Sequence, residues 1–108
     1  MIKRICGSLY LDANYKTDDT NIKLLLNLRL GGIIKGFKEK YERSLLFYHI
    51  DDLSRSDITF GILIYGEGSR IKNDHFLKDI IYKEFPENDE NFAIRSMSFD
   101  VFDYDRFE

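Results

Sequence analysis

Cysteine, proline and histidine are scarce in this chain of 108 residues: it has one cysteine, one proline and two histidines. The single cysteine, Cys6, excludes an internal disulfide and suits a reducing compartment. It also leaves no Cys/His cluster at zinc-binding spacing. No apolar run approaches the roughly 18 residues that a membrane-spanning helix needs. The opening residues, Met1 to Gly7, carry Lys3 and Arg4 but no long apolar core after them, so they do not read as a secretory signal. The expected location is the cytoplasm. Phosphate-loop fingerprints are missing too. Gly66-Glu67-Gly68-Ser69 lies between a strand pattern and a helix pattern, but lacks a third glycine and the Lys-Ser/Thr pair. Glu67 would repel a phosphate, and an ordinary turn is the better account.

What is present is apolar and aromatic. Seven tyrosines and nine phenylalanines argue against disorder. The length suits one globular domain, residues 1–108, large enough to build a core without staples. The organising stretch is Ile58 to Tyr65, with no charge and no proline. Ile58, Phe60, Ile62 and Ile64 share one face and Thr59, Gly61, Leu63 and Tyr65 the other, as expected of a strand buried on both sides. From Asn73 the period becomes helical. Phe76, Leu77, Ile80, Ile81 and Phe85 form one stripe that Pro86 ends, predicting a helix over 73–85.

The rest follows the same periodicities. Lys3 to Asp12 predicts a first strand, with Ile5, Gly7, Leu9 and Leu11 opposite Cys6, Ser8 and Tyr10. Ile22, Leu24, Leu26, Leu28 and Leu30 alternate with Lys23, Leu25, Asn27 and Arg29, which favours a strand over a helix capped by Asp19 or Thr20. Gly31-Gly32 then reads as a break or hairpin turn. Ile33 to Arg43 fits either a second helix or a ragged hairpin arm. Ser44 to Ile50 is another strand, Asp51 to Asp57 a polar connection, and Phe92 to Tyr104 a last strand with a bulge at Val101-Phe102. The expected fold class is α+β: a roughly five-stranded, mainly antiparallel sheet with helix 73–85, and a second helix over 33–43 if that segment is helical, on one face. With the second helix the layout approaches a ferredoxin-like pattern.

No catalytic constellation is visible in the sequence. His49 and His75 could act as an acid–base pair, but nothing ties them together. Cys6 would need a nearby histidine to serve as a nucleophile. Asp103 and Asp105 share a strand face and could hold Mg²⁺, against the simpler account of a solvated acidic edge. No cofactor and no metal is therefore expected. Charge is uneven. Residues 87–108 carry seven acids and two bases, a net of −5, while the remainder carries +2. There acids alternate with aromatics, Asp100-Val101-Phe102-Asp103-Tyr104-Asp105-Arg106-Phe107-Glu108. Phe102, Tyr104 and Phe107 cannot all face inward at period two if Phe99 and Val101 do. Surface aromatics anchor protein interfaces, and a carboxylate rim steers a basic partner. The candidate partner-binding residues are thus Asp100, Phe102, Asp103, Tyr104, Asp105, Phe107 and Glu108, with Asp51 and Asp52 extending the rim. A homodimer could cover the same aromatics instead.

In size, in its strands, in the helix 73–85 and in the acidic aromatic ending Phe99 to Asp105, the chain resembles the small immunity proteins that bacteria pair with polymorphic or contact-dependent growth inhibition toxins. The resemblance implies tight binding to one cognate toxin in the cytoplasm, without catalysis. It carries over no residue roles. The net charge of −3 is less acidic than many such proteins, which bears on a nuclease as the target. Two alternatives follow from the same features. One is a phage-encoded inhibitor of a host defence complex. The other is a single-stranded nucleic-acid module that uses Lys35, Lys38, Lys40 and Arg43 beside Phe37 and Tyr41. The acidic balance makes nucleic acid the weaker of the two.

Overall fold

A computed structural model describes residues 2–11, 19–53, 57–70, 75–86 and 94–104. The elements are β1 (Ile2–Leu11), α1 (Asp19–Lys40), β2 (Ser44–Leu53), β3 (Asp57–Gly66), a 3-10 turn (Glu67–Arg70), α2 (His75–Glu84) and β4 (Ile94–Tyr104). One sheet of four strands runs β2-β3-β1-β4, with every neighbouring pair antiparallel. This βαββαβ order with two helices is a ferredoxin-like α+β fold. Both helices lie on one face of the sheet, as expected; the strand count is four rather than five.

The missing strand is Ile22–Leu30, which is helical. The leucine alternation hides a longer period. Ile22, Leu26, Leu30, Ile33 and Phe37 fall at steps of four, four, three and four, and all are 0–1% exposed. A strand would have buried Leu24 and Leu28 beside them, but these are 59% and 72% exposed. Gly31-Gly32 is not a turn, and 33–43 is no hairpin arm; α1 runs straight through to Lys40. Each glycine costs a helix about 1 kcal/mol against alanine. Gly32 serves a close approach of the helices: a Cβ there would stand 2.7 Å from the Glu84 carboxylate of α2. One turn on, a Cβ on Gly36 would meet Ile80 at 3.8 Å. Lys38 and Lys40 end the helix, where cations suit the dipole.

The core lies between helices and sheet. Ile5, Leu9 and Leu11 of β1 and Ile58, Phe60, Ile62 and Ile64 of β3 meet the α1 stripe and Leu77, Ile81 and Phe85. Phe60 lies across β1 because Gly7 has no side chain, and its ring stacks near Phe85 at 6.0 Å. The expectation that β3 is buried on both sides is half right. Its second face is only partly covered, because no element packs there among the described residues. The bulge expected at Val101-Phe102 is absent. Phe99 and Val101 turn toward the helices and Phe102 simply turns away, so the alternation never slips. The β1–β4 register shifts instead at Tyr10/Leu11, opposite Ser96 and Ile94. Asp51 and Asp52, expected in a connection, belong to β2, where the register with β3 also shifts.

Among the described residues Gly66 is the one whose backbone demands glycine, with φ at +82° and Arg43 O only 2.5 Å from where a Cβ would sit. Ser69 Oγ donates to Gly66 O at 2.6 Å, and Gly68 N donates to Ser44 Oγ at 2.7 Å. With the Gly68 N–H so engaged, this segment is an internally bonded turn, not a phosphate cradle.

Helical burial of alternate leucines predicts unequal mutants. Leu26→Ala should lower the unfolding free energy by about 2–5 kcal/mol in urea titration, whereas Leu28→Ala should change it by less than about 0.5 kcal/mol. Equal losses at both positions would contradict α1.

Candidate functional site

Strand alternation sorts every side chain of the sheet onto the helix-covered face or the open one. Register then arranges the open face in rows across β2, β3, β1 and β4. The first row is Leu45, Tyr65 and Ile2, with the Tyr104 backbone paired to Ile2. The second is Phe47, Leu63, Arg4 and Phe102; the third is His49, Gly61, Cys6 and Asp100. Beyond these come Asp52, Thr59, Ser8 and Ser98, then Asp57, Tyr10 and Ser96. One end of the face is thus apolar and aromatic, and the other polar and acidic. Seven large hydrophobic residues are exposed among the described residues, and four of them, Tyr10, Leu45, Phe47 and Phe102, lie here. Phe47 and Tyr65 meet edge to face at 6.0 Å, which fixes the rings in place.

Arg4 stands inside the apolar end, between Leu63 and Phe102. Its Nε is shut off from water and has no hydrogen-bond partner. A buried donor left so costs about 1–3 kcal/mol. His49 lies flat across Gly61, whose absent Cβ would fall 2.5 Å from the ring. His49 Nε2 contacts Asp51 Oδ1 at 3.0 Å, on its own strand.

The acidic and aromatic residues named from sequence divide among three places. Asp100 and Phe102 share the open face, as does Asp52, which sits roughly 14 Å from β4 across three strand spacings. Asp51 joins Asp52 at the β2 edge and is exposed. Asp103 turns to the other face, where Oδ1 accepts from Lys3 Nζ at 2.8 Å. Lys3 is 1% exposed and Asp103 53%, so this carboxylate is a structural counter-charge at the margin of the core. Asp105, Phe107 and Glu108 lie outside the described residues, and the proposed Asp103/Asp105 metal pair goes with them. No group of three or more His, Cys, Asp and Glu side chains could hold a metal ion among the described residues.

The other chemical candidates are dispersed. His75 starts α2 on the helix side, and His49 lies on the open face, so the sheet separates them. Cys6 sits two strands from His49, whose Nε2 is engaged by Asp51. The basic segment of α1 is no stacking platform either. Phe37 is fully buried, its ring 5.1 Å from Tyr41 and 5.8 Å from Phe76. Lys40 Nζ lies over the Phe76 ring at 4.2 Å. Two shallow clefts flank the sheet, about 370 Å³ beside Tyr10, Asp57 and Arg95 and about 410 Å³ beside Arg43, Glu67 and Arg70. No helix among the described residues is long and apolar enough to cross a membrane.

No family model matches this sequence, and no curated protein matches it. The fold is similar to solved structures of low identity. A hypothetical protein, ORF119, from Sulfolobus islandicus rod-shaped virus 1 aligns with a TM-score of 0.53 at 13% identity, covering 94% of this chain. This chain spans 65% of that viral protein's length. A de novo designed protein with a ferredoxin fold aligns with a TM-score of 0.56 at 10% identity, covering 94% of this chain and 84% of its own. At such identities the likeness establishes the ferredoxin-like fold and nothing about activity.

Two neighbouring aspartates should therefore behave differently. Asp103→Ala leaves the Lys3 ammonium short of its carboxylate and should cost about 1–3 kcal/mol of stability, read by chemical denaturation. Asp100→Ala removes an exposed group and should cost less than about 0.5 kcal/mol.

Proposed function

We propose that this chain is a non-catalytic inhibitor that binds a basic partner protein through its open sheet face, in the manner of an immunity protein that neutralises a toxin in the cytoplasm. The observation that carries this reading is the face itself. Exposed Leu45 and Phe47 on edge strand β2 and Phe102 on edge strand β4 frame one end, with Leu63, Tyr65 and Ile2 between them, and Asp52, Asp57 and Asp100 border the other. Large rigid side chains at the centre of an interface contribute most of its affinity. Carboxylates near them speed encounter with a cationic partner and fix its register. Against a nuclease, such carboxylates would take the places of substrate phosphates while an aromatic ring fills an adjacent pocket. The same acids disfavour nucleic acid as the ligand, because Arg4 is the only fully cationic side chain within the rows of this face.

The test is co-expression with the product of the adjacent gene. That product should arrest growth alone, be harmless in the pair, and co-purify with this chain. Phe47→Asp or Phe102→Asp should abolish protection, and reversing Asp52 and Asp100 to lysine should slow association roughly tenfold or more. Lys35→Glu and Lys38→Glu, on the opposite layer, should have no effect. A neighbour that is harmless alone, or a complex indifferent to Phe47 and Phe102, would refute the reading.

A further inference from the structure

The open face carries one cation, Arg4, that no side chain among the described residues answers. Arg4 has a buried Nε without an acceptor and forms no ion pair with any described residue. Diagonally across the neighbouring strand, on the same face, stands Asp100, exposed and equally without an ionic partner among the described residues. Arg4 as a whole is only partly buried, so a carboxylate from outside can answer its charge through the guanidinium even though the closed-off Nε itself is out of reach. A guanidinium flanked by Leu63 and Phe102 suits a carboxylate presented from a surface that covers those apolar neighbours.

This chain itself offers such a surface. We propose that two copies pack open face to open face about a two-fold axis, with Arg4 of each copy pairing with Asp100 of the other. In a two-fold contact, if one residue meets a second, the second meets the first. The exchange is therefore reciprocal and closes both pairs at once. Four strands of ten to eleven residues span roughly 19 by 33 Å. A two-fold that exchanges these corners crosses the strands of the two copies steeply, so the sheets overlap over roughly 20 by 20 Å, a small interface that suits a weak, reversible dimer.

The pairing also fixes what lies on the axis. Arg4 is opposite Phe102 and Cys6 is opposite Asp100, so these four residues form a quadrilateral on β1 and β4. Exchanging the Arg4 and Asp100 corners leaves the other diagonal on the axis. Phe102 then meets Phe102 of the second copy, and Cys6 meets Cys6. Facing sheets stand about 10 Å apart, too far for a disulfide without backbone movement, but within reach of a short bismaleimide. The proposal is independent of the inhibitor reading, since it concerns the free chain. A partner on the same face would displace the second copy.

The experiment is sedimentation equilibrium of the purified full chain, with wild type expected to dimerise reversibly. Arg4→Glu and Asp100→Arg should each weaken the dimer roughly tenfold or more. The double variant R4E/D100R should recover it, and circular dichroism should show all three folded. A short bismaleimide should crosslink wild type into dimers and leave Cys6→Ser monomeric. Four results would overturn the proposal: a wild type that stays monomeric at millimolar concentration, a dimer untouched by either single swap, a double variant that fails to recover, or no crosslink through Cys6. None of these bears on the adjacent-gene test, and a failed adjacent-gene test would leave the dimer standing.

Discussion

Helices cover one face of this sheet, and the chain supplies no element for the other among its described residues. The covering depends on α1. Its five buried residues, Ile22, Leu26, Leu30, Ile33 and Phe37, lie along one line of the helix. That line sets how α1 sits on β3 and leaves α2 to approach at Gly32 and Gly36. Both crossovers then lie on the same side, so every even-numbered residue of β1 and every odd-numbered residue of β3 is left facing outward. Hydrophobic burial on one side thus decides which side chains are displayed on the other.

Much of this was legible in the sequence. Period two marked β1 and β3, and a 3.6-residue stripe ended by Pro86 marked α2, because in those stretches only one period fits. At Ile22–Leu30 both periods fit. Alternating leucines satisfy a strand, and every second one also satisfies a helix. Only the continuation of the stripe to Ile33 and Phe37 breaks the tie, and that continuation crosses Gly31-Gly32. A glycine pair signals a turn by conformational freedom, but the same pair gives a helix a bare surface against which another can pack. The sequence does not distinguish these uses until the partner helix is placed.

The candidate face was partly legible. Phe102 follows as an exposed aromatic once Phe99 and Val101 are taken as inward, and Asp100 shares its phase. Leu45, Phe47 and Tyr65 were not foreseen, because which side of β2 and β3 stays open depends on where α1 goes. Two charged residues carry signals of their own. Lys3 is in phase with Ile5, Leu9 and Leu11, and a lysine on an apolar strand face requires a counter-charge, which Asp103 provides at 2.8 Å. Arg4 is in phase with Cys6, Ser8 and Tyr10. That it lacks a partner of its own becomes visible only when the neighbouring strands are known.

The central claim is that one sheet face is sealed and the other presented. Solvent paramagnetic relaxation measured by NMR on the aromatic and methyl protons of dilute, monomeric protein tests it directly. Phe47, Phe102 and Leu45 should broaden strongly with a soluble gadolinium chelate, while Phe37, Phe60, Leu26 and Leu30 should stay protected. Protection of Phe47 and Phe102 equal to that of Phe60 would contradict the account.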